Sequence, residues 1–177
     1  MILRRLATTA AAATLLLAGC SGGGDADSGN APKENPTVQV KTQADATQLV
    51  KALAGTVATA VGSPLEKWNT TPAPCDNAAG VTAVNGAWSL SGVGTVAVTP
   101  AEQVPTLTRL RDKWQHQGYQ IDEFRTFPPD NKQGTLSAHV PPDDLTISLQ
   151  STAPGTALEI IIATPCYQPA PGENPGN

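Results

Sequence analysis

Three cysteines, two histidines and two adjacent carboxylate pairs are the side chains with chemistry to offer in this 177-residue chain. The cysteines are Cys20, Cys75 and Cys166, the histidines His116 and His139, and the pairs Asp122-Glu123 and Asp143-Asp144. A nucleophilic enzyme needs its nucleophile beside a base and usually an orienting group. The chain contains no Ser-x-x-Lys, and its single Gly-x-Ser-x-Gly match, Gly19-Cys20-Ser21-Gly22-Gly23, falls in a Gly-rich stretch without the strand and helix of a nucleophile elbow, so it offers no ready set of that kind. Its histidines and cysteines are too few and too scattered for a zinc site, and neither a metal nor a cofactor is expected. Neighbouring residues of a strand point to opposite faces, so each carboxylate pair reads first as solvated charge. Gly92 and Gly94 lack the lysine and the immediate helix of a phosphate loop, and read as a kinked strand. No catalytic residue is assigned.

Cys20 has the more specific setting. Arg4 and Arg5 precede an uncharged run, Leu6 to Gly19, that is too short to span a bilayer but right for the apolar region of a signal peptide. Leu17-Ala18-Gly19-Cys20 resembles the lipobox of bacterial lipoproteins. That resemblance implies cleavage before Cys20, a diacylglycerol on its thiol and an acylated amino terminus. Acyl chains contribute about 0.8 kcal/mol per buried methylene, so two or three of them make a durable anchor on the extracytoplasmic face of the cell membrane.

Loss of the leader removes two of the 11 basic residues and none of the 15 acidic ones, so 9 against 15 leaves a formal charge of −6. Such a balance argues against nucleic acid as a partner and against electrostatic docking to anionic lipid. In an exported, oxidising setting the remaining even pair, Cys75 and Cys166, reads as a structural disulfide.

The rest of the chain must position these groups. Residues 20–41 are Gly-, Ser-, Asp- and Pro-rich, and at roughly 5 to 6 Å times the square root of the residue number they make a leash on the order of 25 Å. An α+β domain is expected over residues 42–167, followed by a frayed tail over 168–177. A first helix runs from Thr42, which with Asp45 resembles a capping box, to Gly62-Ser63-Pro64, and carries an apolar stripe from Ala46 to Val61. Leu65 to Gly80 is punctuated by prolines and reads as a loop. Val81 to Val98 reads as a strand bent at Ser91-Gly92-Val93-Gly94. Thr99-Pro100 opens a second helix that packs through Leu107, Leu110 and Trp114 and stops at Gly118. Four strands follow, Tyr119 to Phe127, Gly134 to Val140, Leu145 to Ser151 and Ala157 to Thr164, the last read as the sheet centre. The order points to two helices on one face of a mainly antiparallel sheet, a single domain with one disulfide.

Several runs together, Trp88-Ser89-Leu90-Ser91-Gly92, Leu107 to Trp114, Gly118-Tyr119-Gln120-Ile121, Ile147 to Thr152 and Thr164-Pro165-Cys166-Tyr167, resemble a group of small actinobacterial envelope lipoproteins of unknown function. The resemblance covers roughly Cys75 to Tyr167. It implies the same fold and disulfide but brings no activity and no catalytic residues.

Two function classes are expected. The first is a membrane-anchored binding or interaction module that engages an envelope protein, a polymer or an apolar ligand, with Trp68, Tyr119 and Phe124 as its contact surface. The alternative is a cryptic envelope hydrolase working through paired carboxylates. A cleft in which Asp and Glu residues converge would favour the second.

Overall fold

The computed structural model describes residues 39–76, 85–153 and 155–176; the expected leader, Cys20 and most of the leash lie outside the described residues, as does the stretch 77–84. In chain order the elements are β1 (Val40–Lys41), α1 (Gln43–Val61), β2 (Leu65–Pro74), β3 (Trp88–Ala97), a 3-10 turn (Pro100–Glu102) and α2 (Gln103–His116). Then come β4 (Gln120–Phe127), β5 (Gln133–Val140), β6 (Leu145–Ser151), β7 (Ala157–Ala163) and β8 (Gln168–Pro169). The two helices pack against a six-stranded antiparallel sheet of order β2-β3-β7-β6-β5-β4, the α+β architecture expected, and β7 shares its centre with β6.

The first helix forms where its caps and stripe say it should. Thr42 Oγ1 accepts a hydrogen bond from the Asp45 amide at 3.0 Å, and Gly62 takes a left-handed φ of 86°. Its amide and that of Ser63 both bond to the Ala58 carbonyl, at 2.9 and 3.2 Å, and the Gly62 amide also reaches the Thr59 carbonyl at 3.2 Å, which satisfies carbonyls the helix end would otherwise orphan. The buried face is Ala46, Val50, Ala54, Val57 and Ala58. Alanine at three of these five positions lets α1 lie close to β2, β3 and β7. The second helix covers β4 and β5 through Leu107, Leu110 and Trp114. Thr99 makes no side-chain cap; the 3-10 turn opens the segment instead, and the fully buried Gln103 donates its amide to the carbonyls of Gly155 (2.6 Å) and Ala157 (3.2 Å).

One core lies between helices and sheet. Trp88, Leu90, Leu136, Ile147, Leu149, Leu158, Ile160 and Ile162 are fully buried there, and in β7 the alternation is clean, with Leu158, Ile160 and Ile162 inward. Across the strands Gly94, Ile160, Leu149, Leu136 and Phe124 form one inward row.

The segment expected to be a loop is the edge strand β2. Prolines mislead here, because an edge strand has an outward side where a missing N–H breaks no ladder bond, and Pro72 and Pro74 have the same parity. The irregularity expected in β3 sits instead in β2, between Glu66 and Asn69, where Lys67 has a φ of 51°. Leu65 and Trp68 are three residues apart, and a regular strand would send them to opposite faces; the bulge turns both inward. Gly92 and Gly94 make room for the Trp68 indole. A Cβ at Gly92 would overlap the ring, and one at Gly94 would come within 2.9 Å of it. The other edge strand uses the same device: a register shift between Ile121 and Glu123 turns both Ile121 and Phe124 inward.

The carboxyl-terminal stretch is held rather than frayed. Trp88 and Tyr167 exchange backbone hydrogen bonds at 3.0 and 2.7 Å, and β8 pairs in parallel with β1. Glu173 accepts the Gln43 amide at 3.1 Å, which satisfies an orphan donor in the first turn of α1. Pro175 is buried. Polar composition suggested a loose end, but burial of Tyr167 and the open amides of α1 both give this segment partners. The disulfide Cys75–Cys166 joins the end of β2 to the segment after β7 across a separation of 91 residues, with a Cα–Cα distance of 6.2 Å. Closing a loop of that length stabilises by about 4 to 5 kcal/mol on the chain-entropy model.

Candidate binding face

A strand buried on one side shows its alternate residues on the other, and here no described element covers that other side. The register defines three rows across all six strands. One row is Gln120, His139, Thr146, Ala163, Ser91, Thr71; the next is Glu123, Ser137, Ser148, Ile161, Val93, Asn69; the third is Arg125, Thr135, Gln150, Glu159, Thr95, Glu66. Hydroxyls and amides dominate the middle of this face. The apolar members, Ala163, Ile161 and Val93, lie together on β7 and β3, and Val93 is 38% exposed. Glu123 and Arg125 form an ion pair at 3.0 Å on the β4 edge.

At the β4–β5 corner the face deepens into an open cleft lined by Gly118, Gln120, His139, Pro141, Pro142 and Asp144. His139 stands between two carboxylates: Nε2 is 3.6 Å from Asp122 and Nδ1 is 3.6 Å from Asp144. Both gaps exceed hydrogen-bond length, so the attraction is electrostatic and requires the imidazolium form. Nδ1 is buried without a hydrogen-bond partner among the described residues. The fold thus draws one member of each carboxylate pair, Asp122 from the β4 bulge and Asp144 from the β5–β6 turn, onto a single histidine. Beyond it, Lys41 lies 3.6 Å from Asp143 and 5.0 Å above the Tyr167 ring. Burial, with smaller contributions from Asp143 and Asp144, raises the Tyr167 hydroxyl above the ordinary 10.0.

The aromatic residues expected to form one contact surface are not brought together. Trp68 belongs to one sheet edge and Phe124 to the other, about 24 Å away at five strand spacings of about 4.8 Å. All three are half-buried and turned to the helix side: Tyr119 lies beside Trp114, centroids 6.1 Å apart, and the Arg111 guanidinium covers Phe124 at 4.5 Å. Edge bulges account for this, since they turn Trp68 and Phe124 into the core. Cys20 lies outside the described residues. His116 is exposed at the end of α2. Among the described residues no three His, Cys, Asp or Glu side chains are grouped to hold a metal ion, and no helix is long and apolar enough to cross a membrane.

The grouping of His139 with Asp122 and Asp144 escaped sequence reasoning. Strand alternation puts His139 on the same side as Thr135 and Ser137, and that much was readable. The pairing of β4 with β5, and the bulge at Asp122, were not. Compared with known proteins, the chain matches no family model and no curated sequence.

Proposed function

We propose that this is a lipid-anchored extracytoplasmic binding module of the bacterial cell envelope, whose uncovered sheet face receives the partner. The carrying observation is the asymmetry of the sheet: one side is sealed by two helices, while six strands present hydroxyls, amides and a small apolar centre on the other. Leu17-Ala18-Gly19-Cys20 and the resemblance to envelope lipoproteins support the anchor and the location. The acidic balance disfavours nucleic acid as the partner. Two experiments test this reading. Labelling with a clickable fatty acid should mark the native protein and not Cys20→Ala; equal labelling of both contradicts the anchor. Ser137→Arg with Ser148→Arg should reduce partner recovery at unchanged thermal stability; unchanged recovery contradicts the face.

One observation favours a second reading, a hydrolase. Asp122 and Asp144 each lie 3.6 Å from His139, and His139 and Asp144 line an open cleft, which sets a histidine beside carboxylates as general acid–base chemistry would use them. Hydrolysis of envelope glycan or ester probes by the full chain, lost in His139→Ala and Asp122→Asn, would establish it. A native protein inert toward these probes removes it.

A further inference from the structure

Building on the binding-face reading, we infer that the open face is complementary to itself, and that two copies of this chain stack it face to face. Consider a two-fold axis lying in the interface, parallel to the strands and passing between β7 and β6, the midline of the order β2-β3-β7-β6-β5-β4. That operation lays β4 of one copy over β2 of the other, β5 over β3 and β6 over β7. The interface is then isologous, so each contact occurs twice. Reading the rows through it, Arg125 meets the partner copy's Glu66, Thr135 meets Thr95, and Gln150 meets Glu159. In the other rows Glu123 meets Asn69, Ser148 meets Ile161, and His139 meets Ser91. Every charged residue of the three rows therefore faces either its opposite or a neutral hydrogen-bonding group. The alternative axis, across the strands, puts Glu123 over its own copy and leaves Arg125 facing Gln120. Like-charge contact suppresses wrong registers, so the first arrangement is selected.

Side-chain size also suits stacking. Ala163, Ser91, Ser137 and Ser148 are small, and aligned sheets pack about 10 Å apart when the inner side chains interdigitate. The area sets the strength. Five strand spacings of about 4.8 Å by seven residues at about 3.3 Å give a face of roughly 550 Å², short of the about 800 Å² per partner of a standard stable interface. Dimerisation in free solution is accordingly weak. Anchoring on one membrane confines both copies to a thin layer, and confinement raises their effective concentration. The dimer belongs to the membrane-bound protein.

The test uses the full-length protein purified with its lipid anchor and reconstituted at rising density in neutral vesicles. Glu66→Cys combined with Arg125→Cys should give a disulfide-linked dimer under mild oxidation, and either single variant much less. Arg125→Glu should weaken density-dependent association about tenfold, Glu66→Arg similarly, and the double reversal should restore it. Unfolding midpoints of all variants keep a folding defect apart from a lost contact. Equal crosslinking by the single and double variants, or reversal without rescue, overturns the proposed register. No association at any density overturns self-pairing. In that event a photocrosslinker at Ser148 decides the underlying reading: capture of a different envelope molecule keeps the binding face, and no capture at all ends both.

Discussion

The two faces of the sheet are made from the same strands and obey different rules. On the helix side, residues such as Leu149, Ile160 and Ile162 are fully buried, and the chain bends its own edges to add Trp68 and Phe124. On the open side the neighbours of those residues in sequence, Ser148, Glu159 and Ile161, are only half-buried. One residue along a strand separates the two environments. Stability is therefore concentrated on one side, and the other is free to change without loss of the fold. A surface released from packing in this way is where recognition can be built.

The strongest challenge to that division is truncation on each side. Leu149→Ala should destabilise by about 3 to 4 kcal/mol through lost burial and a cavity, while Ser148→Ala, one residue away, should stay within about 0.5 kcal/mol. Urea denaturation of both variants measures it, and comparable losses would erase the distinction. Second in size is the staple: replacing Cys75 and Cys166 together by alanine should lower stability by about 2 to 4 kcal/mol, less than the chain-entropy figure because the reduced unfolded chain keeps residual structure. Because the bridge lies at one end of the sheet, partner recovery at low temperature should persist. The Trp68 seat sharpens the comparison at an edge. Gly92→Ala should cost about 1 to 3 kcal/mol, since its methyl group enters the indole, and the same change in a Trp68→Ala background should cost much less. Equal effects in both backgrounds would contradict the contact.

Smallest is Tyr167. Its hydroxyl is buried without a hydrogen-bond partner among the described residues, so Tyr167→Phe should change stability by no more than about 1 kcal/mol at neutral pH. Its pKa is raised in the folded state, so the folded protein holds the proton more tightly than the unfolded chain. The sign follows: this group does not penalise folding below the unfolded value of about 10, and stability falls as pH rises through and above it. Tyr167→Phe should flatten that part of the stability profile, measured by thermal melts between pH 8 and about 11.

Much of the covered face was legible in the sequence. The Thr42 cap, the alanine stripe, Gly62, Gly118 and the alternation of Ile147 and Leu149 are local signals, and each lies where local physics puts it. What escaped was non-local. Pro72 and Pro74 signal a loop unless the strand is known to be an edge, and edge position is a property of the assembled sheet. Trp68 and Phe124 looked available for contact because the bulges that turn them inward depend on pairing with β3 and β5. The tail looked loose because its partners, β1 and the first turn of α1, lie more than a hundred residues earlier. For the same reason the site was the least readable part: His139 was visible, but not that Asp122 and Asp144 would converge on it.

If the uncovered face does the recognising, photocrosslinking in the cells that make the protein will show it. A photoreactive residue is placed at Ser148, in the middle of the open face, and in a parallel strain at Lys51, exposed on α1. Strong, defined adducts are expected from Ser148 and none above background from Lys51. Adducts from Lys51 with none from Ser148 would contradict this, and would move the binding surface to the helix side.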